Sequence, residues 1–476
     1  MMSKKQRLHP AAIIFTLIKT FKEMIFTIGV GFFAFKDAGL IYLIMGICLF
    51  VVVALLVSTL SWYRYTYRLE EEELRIEYGI FIRKKRYISK NRIQSIDLTQ
   101  SVVHRMFKLV RVNIETAGSG TGAEASLKAV KLSAGEKLRK ELKTNQSSVI
   151  EETESQEESD QALVKKITTR RLFLAGTTSG SIGIIFVLFS VLFSEIEQFV
   201  PDDYYETTFE TIISYSIVLL AIMVLALILL LWVMGIAGTM IKYGNFTIRK
   251  NEDELYITRG LLEKKQTTIP IKRIQAVGVN ESLLRQPLGY VTVFAEVAGG
   301  SISKGEEFST VLFPIMKRDE VDDFLSQFLP QYGTERNKLT GLPSKAKTFY
   351  IVRSAILLVA AIIIMLFFLP QFILAPLILL VFAIILGLLQ HKDAGIRIDH
   401  ELLTIRYRVV NRKTIVLFHK RIQSFENKQH FLQQRASLAT IRTSIVSKLG
   451  AGKHYTIKDL STRDVMDLFD WYSYRD

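Results

Sequence analysis

Apolar and polar positions follow two rhythms along this chain. Long apolar runs of helical length come in pairs, and between the pairs hydrophobic residues recur at every second position. A bilayer core of about 30 Å needs roughly 20 apolar residues in a helix, and residues 38–61 meet that requirement. A shorter apolar stretch begins at Met24, separated from it by Lys36 and Asp37. Residues 11–23, with Lys19, Lys22 and Glu23, read as an interfacial or tilted lead-in to that first span. Residues 172–193 and 212–236 form a second pair, and 354–369 and 372–390 a third, with Pro370 and Pro376 at its turn. The pattern predicts six spans in three hairpins.

The polar segments are copies of one another, and repeats decide architecture before any local detail. "NRIQS" begins at Asn91, "KRIQA" at Lys272 and "KRIQS" at Lys420. With Arg92, Arg273 and Arg421 superposed, Leu74 and Ile76 fall on Leu255 and Ile257 and on Leu403 and Ile405. That alternation is a strand. Gly79 and Gly260 follow as a hairpin turn, where the third copy has Arg408. A second strand leads into the arginine. After the motif come a turn or short helix and a strand carrying Val110, Val112 and Ile114 in the first copy. A Gly-rich turn, a closing strand and a helical segment such as "KRDEVDDFLSQFL" complete each copy. Strands closed by one helix predict a small β-sandwich or open barrel, the helix covering an open end or a sheet edge.

The expected fold class is therefore transmembrane α-helical hairpins plus α+β units. Hairpins occupy 1–61, 167–240 and 349–391, and the strand-rich units 62–145, 241–330 and 392–476. An acidic linker fills 146–166, its Ser/Gln/Glu-rich core expected to be disordered, and a second linker fills 331–348. The "MMSKKQRLHP" start leads into a hairpin without a small-residue cleavage site, so a cleaved signal peptide is not expected.

Composition sharpens the picture. The chain is 49% hydrophobic yet carries a net charge of +15, which suits a membrane protein with basic cytoplasmic parts rather than a soluble nucleic-acid binder. The segment 194–211 contains no Lys or Arg, whereas 64–171 is dense in both. By the positive-inside rule both termini and all three units are expected in the cytoplasm of a multi-pass protein. The single cysteine, Cys48, lies in an apolar run and reads as a packing residue.

Two sets of residues invite a functional reading. The motif itself, Arg92-Ile93-Gln94, Arg273-Ile274-Gln275 and Arg421-Ile422-Gln423, is either a basic ligand contact or an architectural corner. In the second case the isoleucine faces the core while Arg and Gln satisfy backbone groups, which explains three copies without a ligand. The second set is cationic: Arg83, Lys84, Lys85 and Arg86, then Lys264, Lys265, Lys272 and Arg273, then Arg412, Lys413, Lys420 and Arg421. Near an anionic leaflet each such cation gains about 1 kcal/mol. These are candidate anionic-lipid or partner contacts, or merely a solvated positive-inside face. The acids Asp202 and Asp203 lack the spacing of a calcium loop, and "GAGK" at Gly450 lacks that of a phosphate loop. No catalytic, cofactor or metal site is expected, so the chain reads as a non-enzyme.

Three hairpins, each followed by a unit bearing "RIQ", with "TAG" or "VAG" after it in the first two, and "LHP" at Leu8, resemble the membrane-flanked bacterial pleckstrin-homology-like family in its three-unit form. The resemblance covers essentially the whole chain. It implies a fold of two packed antiparallel sheets with a C-terminal helix, no catalytic residue, and a role in envelope stress and antimicrobial-peptide resistance beside a smaller single-unit relative. The third copy departs from the pattern at Arg408 and Arg442-Thr443-Ser444, which puts a shared role for its surface in doubt. Two functions follow: a scaffold that forms a homo-oligomer or a complex with that relative, or a lipid or peptide conduit with the six spans as path and the units as gates. Ionisable residues are nearly absent from the spans, which argues against an ion-coupled carrier.

Overall fold

The computed structural model describes residues 5–34, 40–70, 72–116, 125–143, 163–178, 217–298, 309–333, 339–446 and 452–473. The acidic loop at 194–211, most of span 172–193, the turns at 117–124, 299–308 and 447–451, and most of the acidic linker lie outside them.

The first unit contains β1 (Gln6–Arg7), α1 (Ala12–Ala34), α2 (Leu40–Arg64), β2 (Thr66–Leu69), β3 (Glu73–Tyr78), β4 (Lys84–Ser89), β5 (Ile93–Gln100), α3 (Val102–Met106), β6 (Leu109–Thr116), β7 (Ala125–Lys131) and α4 (Leu132–Lys143). The second contains β8 (Leu163–Lys166), α5 (Thr169–Thr177), α6 (Ile217–Tyr243), β9 (Thr247–Asn251), β10 (Glu254–Arg259), β11 (Lys264–Pro270), β12 (Ile274–Glu281), β13 (Tyr290–Val297), β14 (Thr310–Lys317) and α7 (Glu320–Phe328). The third contains β15 (Thr340–Gly341), α8 (Ala346–Phe368), α9 (Leu374–Asp393), β16 (Gly395–Asp399), β17 (Leu402–Arg408), β18 (Arg412–Phe418), β19 (Ile422–Lys428), α10 (Phe431–Ala436), β20 (Leu438–Val446), β21 (Gly452–Ser461) and α11 (Thr462–Ser473).

Among the described residues four helical stretches are long and apolar enough to cross a membrane: Ile44–Arg64, Leu225–Tyr243, Ala346–Phe368 and Leu374–Asp393. The expected lead-in and the stretch after Met24 join in one helix, α1.

Each unit folds as two antiparallel sheets, and the period-two pattern decides their inner faces. In β3, Leu74 and Ile76 are buried while the residues between them stay half-exposed. Gly79 and Gly260 turn the β3–β4 and β10–β11 hairpins at φ +113° and +103°, and a Cβ at either would lie 2.0 Å from a backbone oxygen. Only glycine fits there.

The sheets do not stop at unit boundaries. β1-β2-β3-β4 forms one sheet and β19-β20-β21 another, neither joined to a further strand among the described residues. Between them run two seven-stranded sheets, β7-β6-β5-β11-β10-β9-β8 and β14-β13-β12-β18-β17-β16-β15. The second sheet of each unit is thus continuous with the first sheet of the next. At the first joint Gln100, Thr99 and Leu98 face Lys264, Lys265 and Gln266. At the second, six pairs run from Ala276–Leu417 to Glu281–Arg412. The second joint also shares apolar packing: Leu402 and Val416 enter the core of unit two, and Ala276 and Phe294 that of unit three.

The apolar helical segments and α5 are pinned to their units. In unit one, Trp62 Nε1 donates to the Leu8 carbonyl at 2.8 Å, and the Phe15 and His104 rings stack at 3.7 Å. In unit two, Arg171 donates two parallel bonds to Glu320 at 2.8 and 2.7 Å, which hold that carboxyl below the usual carboxylate range. The largely buried Arg285 donates to Thr178 Oγ1 at 2.9 Å and to the Ala175 carbonyl at 3.1 Å. In unit three, Arg353 meets the fully buried Asp459 at 2.8 Å, and Tyr350 donates to the Lys458 carbonyl.

Candidate functional site: the joints and a basic cleft

The repeated motif is the corner at which the chain leaves one sheet for the other. A single 3-10 turn, 90–92, 271–273 or 419–421, ends just before the isoleucine in each unit. Ile93, Ile274 and Ile422 are buried at 8%, 0% and 1%. Gln275 is buried and donates to the Arg273 carbonyl at 3.0 Å, while Gln423 is exposed. Tyr332 closes the corner in unit two, its hydroxyl donating to the Ile274 carbonyl at 2.8 Å.

The motif arginines face the preceding unit where there is one. Arg421 donates to the Lys272 carbonyl of unit two at 2.6 Å. Arg273 is half-buried, which pushes its pKa down, and the Glu115 carboxylate of unit one pulls the other way. Arg92 is exposed.

Several cations of units two and three are drawn into the joints. Lys265 reaches Asp97 of unit one at 3.8 Å, both nearly enclosed. Arg412 binds Glu281 of unit two, with Nε at 3.0 Å, and Asp393 at 3.2 Å. Lys453 of unit three meets the buried Glu296 of unit two at 2.5 Å. Arg408 is buried, with Nε 2.5 Å from Asp393 and Nη2 2.7 Å from Gln286 of unit two. Its departure from glycine therefore serves the second joint. Lys272 and Lys420 are exposed, opposite Asp253 at 3.6 Å and Glu401 at 3.9 Å. In unit one, Lys84, Lys85 and Arg86 are exposed along β4, with Arg83 beside Glu77.

A cleft of about 720 Å³ opens at the first joint. Arg105, Arg139, Lys166, Arg249 and Lys264 line it, with Asn245, Asn251, Gln100 and Gln266, and no carboxylate stands among its lining residues. The Arg139 guanidinium lies 4.9 Å from the Tyr256 ring centre. Burial first, then the Glu254 carboxylate that accepts its hydroxyl, push Tyr256 up to about 12, so it stays neutral. An equivalent cleft of about 580 Å³ lies at the second joint. There Asp393 stands at the Asn245 position and Glu281 at that of Gln100, and Asp319 and Asp322 add two more acids. The lining of the second cleft thus sets acids beside its cations, whereas that of the first is basic and neutral, with Glu254 behind Tyr256.

Of the cationic residues picked from the sequence, only Lys264 lines the basic cleft. Arg105, Arg139, Lys166 and Arg249 were not among them. The signal lay in comparing copies, since Asn245 and Gln100 carry no charge where the next copy carries an acid. No three His, Cys, Asp or Glu side chains among the described residues gather as a metal site would require.

A bacterial PH domain is matched three times, at residues 13–146, 198–331 and 353–476. The chain belongs to this bacterial PH-domain family. It is also 34% identical, over all of its own length and 99% of the relative's, to the UPF0699 transmembrane protein YdbT of Bacillus subtilis (strain 168). The chain is thus a membrane protein of the three-unit, YdbT-like kind, as the motifs implied.

Proposed function

We propose that this bacterial PH-domain protein is a non-enzymatic membrane scaffold. Its hairpins hold three PH-like units against the cytoplasmic leaflet, and the units act as one rigid beam that assembles with further units. The observation that carries this reading is the pair of seven-stranded sheets. A gate needs units that move independently, and a backbone ladder with a buried Glu281–Arg412 pair opposes that movement. Both termini and all units lie on the cytoplasmic side, where the basic cleft meets anionic headgroups. The load such a scaffold resists is disturbance of the envelope, antimicrobial peptides included.

Light scattering of the purified full chain in mild detergent, alone and with a co-expressed single-unit relative, tests the proposal. A discrete assembly of several chains is the expected result. A monomer under both conditions refutes it and brings forward the lipid or peptide conduit.

A further inference from the structure

Both joints are built from the same two parts. The outer strand of a unit's first sheet, β11 or β18, pairs with the outer strand of the preceding unit's second sheet, β5 or β12. The register is also the same. Lys264 and Arg412 hold equivalent places after the motif residues are superposed, as do Gln100 and Glu281, and Lys264 faces Gln100 just as Arg412 faces Glu281. A one-residue slip would turn every side chain to the wrong face, so a register kept twice is a specified one.

Among the described residues, one copy of each part has no pairing partner. The equivalent of β11 and β18 in unit one is β4, which ends its four-stranded sheet with Lys84, Lys85, Arg86 and Tyr87 exposed. The equivalent of β5 and β12 in unit three is β19, which ends its three-stranded sheet with Ser424, Glu426, Asn427 and Lys428 exposed. We infer that β4 of one molecule pairs antiparallel with β19 of a second copy of this chain, making between molecules the joint made twice within each. The inference rests on the scaffold reading and names its surface.

The conserved register sets Arg86 opposite Glu426, Tyr87 opposite Phe425 and Ile88 opposite Ser424. The first is a pair of opposite charge and the second an aromatic pair, both favourable across strands. Lys84 falls opposite Lys428, so this joint is the weakest of the three. Lysines on an edge strand often prevent pairing, but β11 carries Lys265 at the place of Lys84 and Lys264 at that of Arg83, and it is paired. The exposed Arg92 completes the match, since Arg421 at its position reaches the preceding unit across the second joint. Head-to-tail joints of this kind give a ring where the rotation closes and a filament where it does not.

The test is cysteine cross-linking of the full chain in membranes, in a Cys48→Ser background. Directly opposed residues of an antiparallel pair stand about 4.5–5.5 Å apart at Cα, within the span of a disulfide. Arg86→Cys with Glu426→Cys should give intermolecular dimers and higher species. Lys85→Cys with Glu426→Cys, one residue out of register, should give about ten-fold less. Equal yields from the two pairs overturn the register, and so the joint. Assemblies seen by light scattering without an 86–426 disulfide overturn the joint while leaving the scaffold standing. A monomer by both methods overturns both. A disulfide that forms only when a second protein is co-expressed overturns the choice of a second copy.

Discussion

Removing Arg412 should loosen the second joint by an amount the structure allows us to work out. Its guanidinium lies between Glu281, which is 4% exposed, and Asp393, and its own side chain is 17% exposed. Arg412→Ala strands the Glu281 carboxylate inside the joint, while Asp393 keeps Arg408. Breaking a buried pair from one side costs about 3–5 kcal/mol, and the partial exposure of Arg412 places this case near 3 kcal/mol. At about 1.4 kcal/mol per decade, amides that exchange by local opening of β12 and β18 should do so roughly a hundred-fold faster. Hydrogen exchange read by mass spectrometry resolves this strand by strand, with β6 of unit one as the internal reference. Glu281→Met with Arg412→Met should recover most of the protection, because replacing both partners of a buried pair by apolar groups is close to neutral. Protection of β12 and β18 within two-fold of the parent in Arg412→Ala would refute the claim that this pair holds the joint.

Three further outcomes are expected. Gly260→Ala places a Cβ 2.0 Å from the Glu263 carbonyl oxygen at a φ of +103°; it should cost about 1–3 kcal/mol, seen as a lower Tm in detergent, whereas Gly289→Ala, with open space around it, should cost less. Burial holds the His104 imidazole below its ordinary value, with Ser101 Oγ and the Lys128 carbonyl taking its two nitrogens and Phe15 stacked on its ring; because the folded value lies below the unfolded one, this contribution is complete above about pH 6.5 and is lost on acidification through the folded pKa, so Tm should fall between roughly pH 7 and pH 5, and the slope should flatten in His104→Gln. Arg139→Ala with Arg249→Ala removes two of the cleft's cations; the gain in Tm on moving from neutral to anionic nanodiscs should shrink by the equivalent of about 1 kcal/mol per charge, and an unchanged gain would count against headgroup binding in the cleft.

The units were legible in the sequence because their strands keep a strict period and their corners recur. Leu74 and Ile76 announce β3, and the three isoleucines of the motif enter the core as an architectural corner requires. The joints were not legible. Alternation tells which face of a strand is buried, but nothing in "LLEKKQTTI" says whether the strand's edge meets water or another ladder. Arg408 reads as a broken turn until Asp393 and Gln286 are seen around it. The short strands β1, β8 and β15 were missed because two to four residues carry no period. The basic cleft draws on residues from 100 to 267, too scattered to form a run.

Those short strands have a consequence for how the protein is made. β1 pairs with β2, β8 with β9 and β15 with β16, so in each unit the apolar segment is an insertion between two neighbouring strands of one sheet. No unit can finish its first sheet until the apolar segment between those strands has been synthesised. The edge of β5 waits still longer, because its partner β11 lies beyond the next apolar segment. At about 5–20 residues per second, that edge stays bare on the ribosome for roughly ten to thirty seconds. Translation thus sets an order in which each new unit caps the one before it, and the nascent chain is most open to mispairing while the second unit's apolar segment is being synthesised.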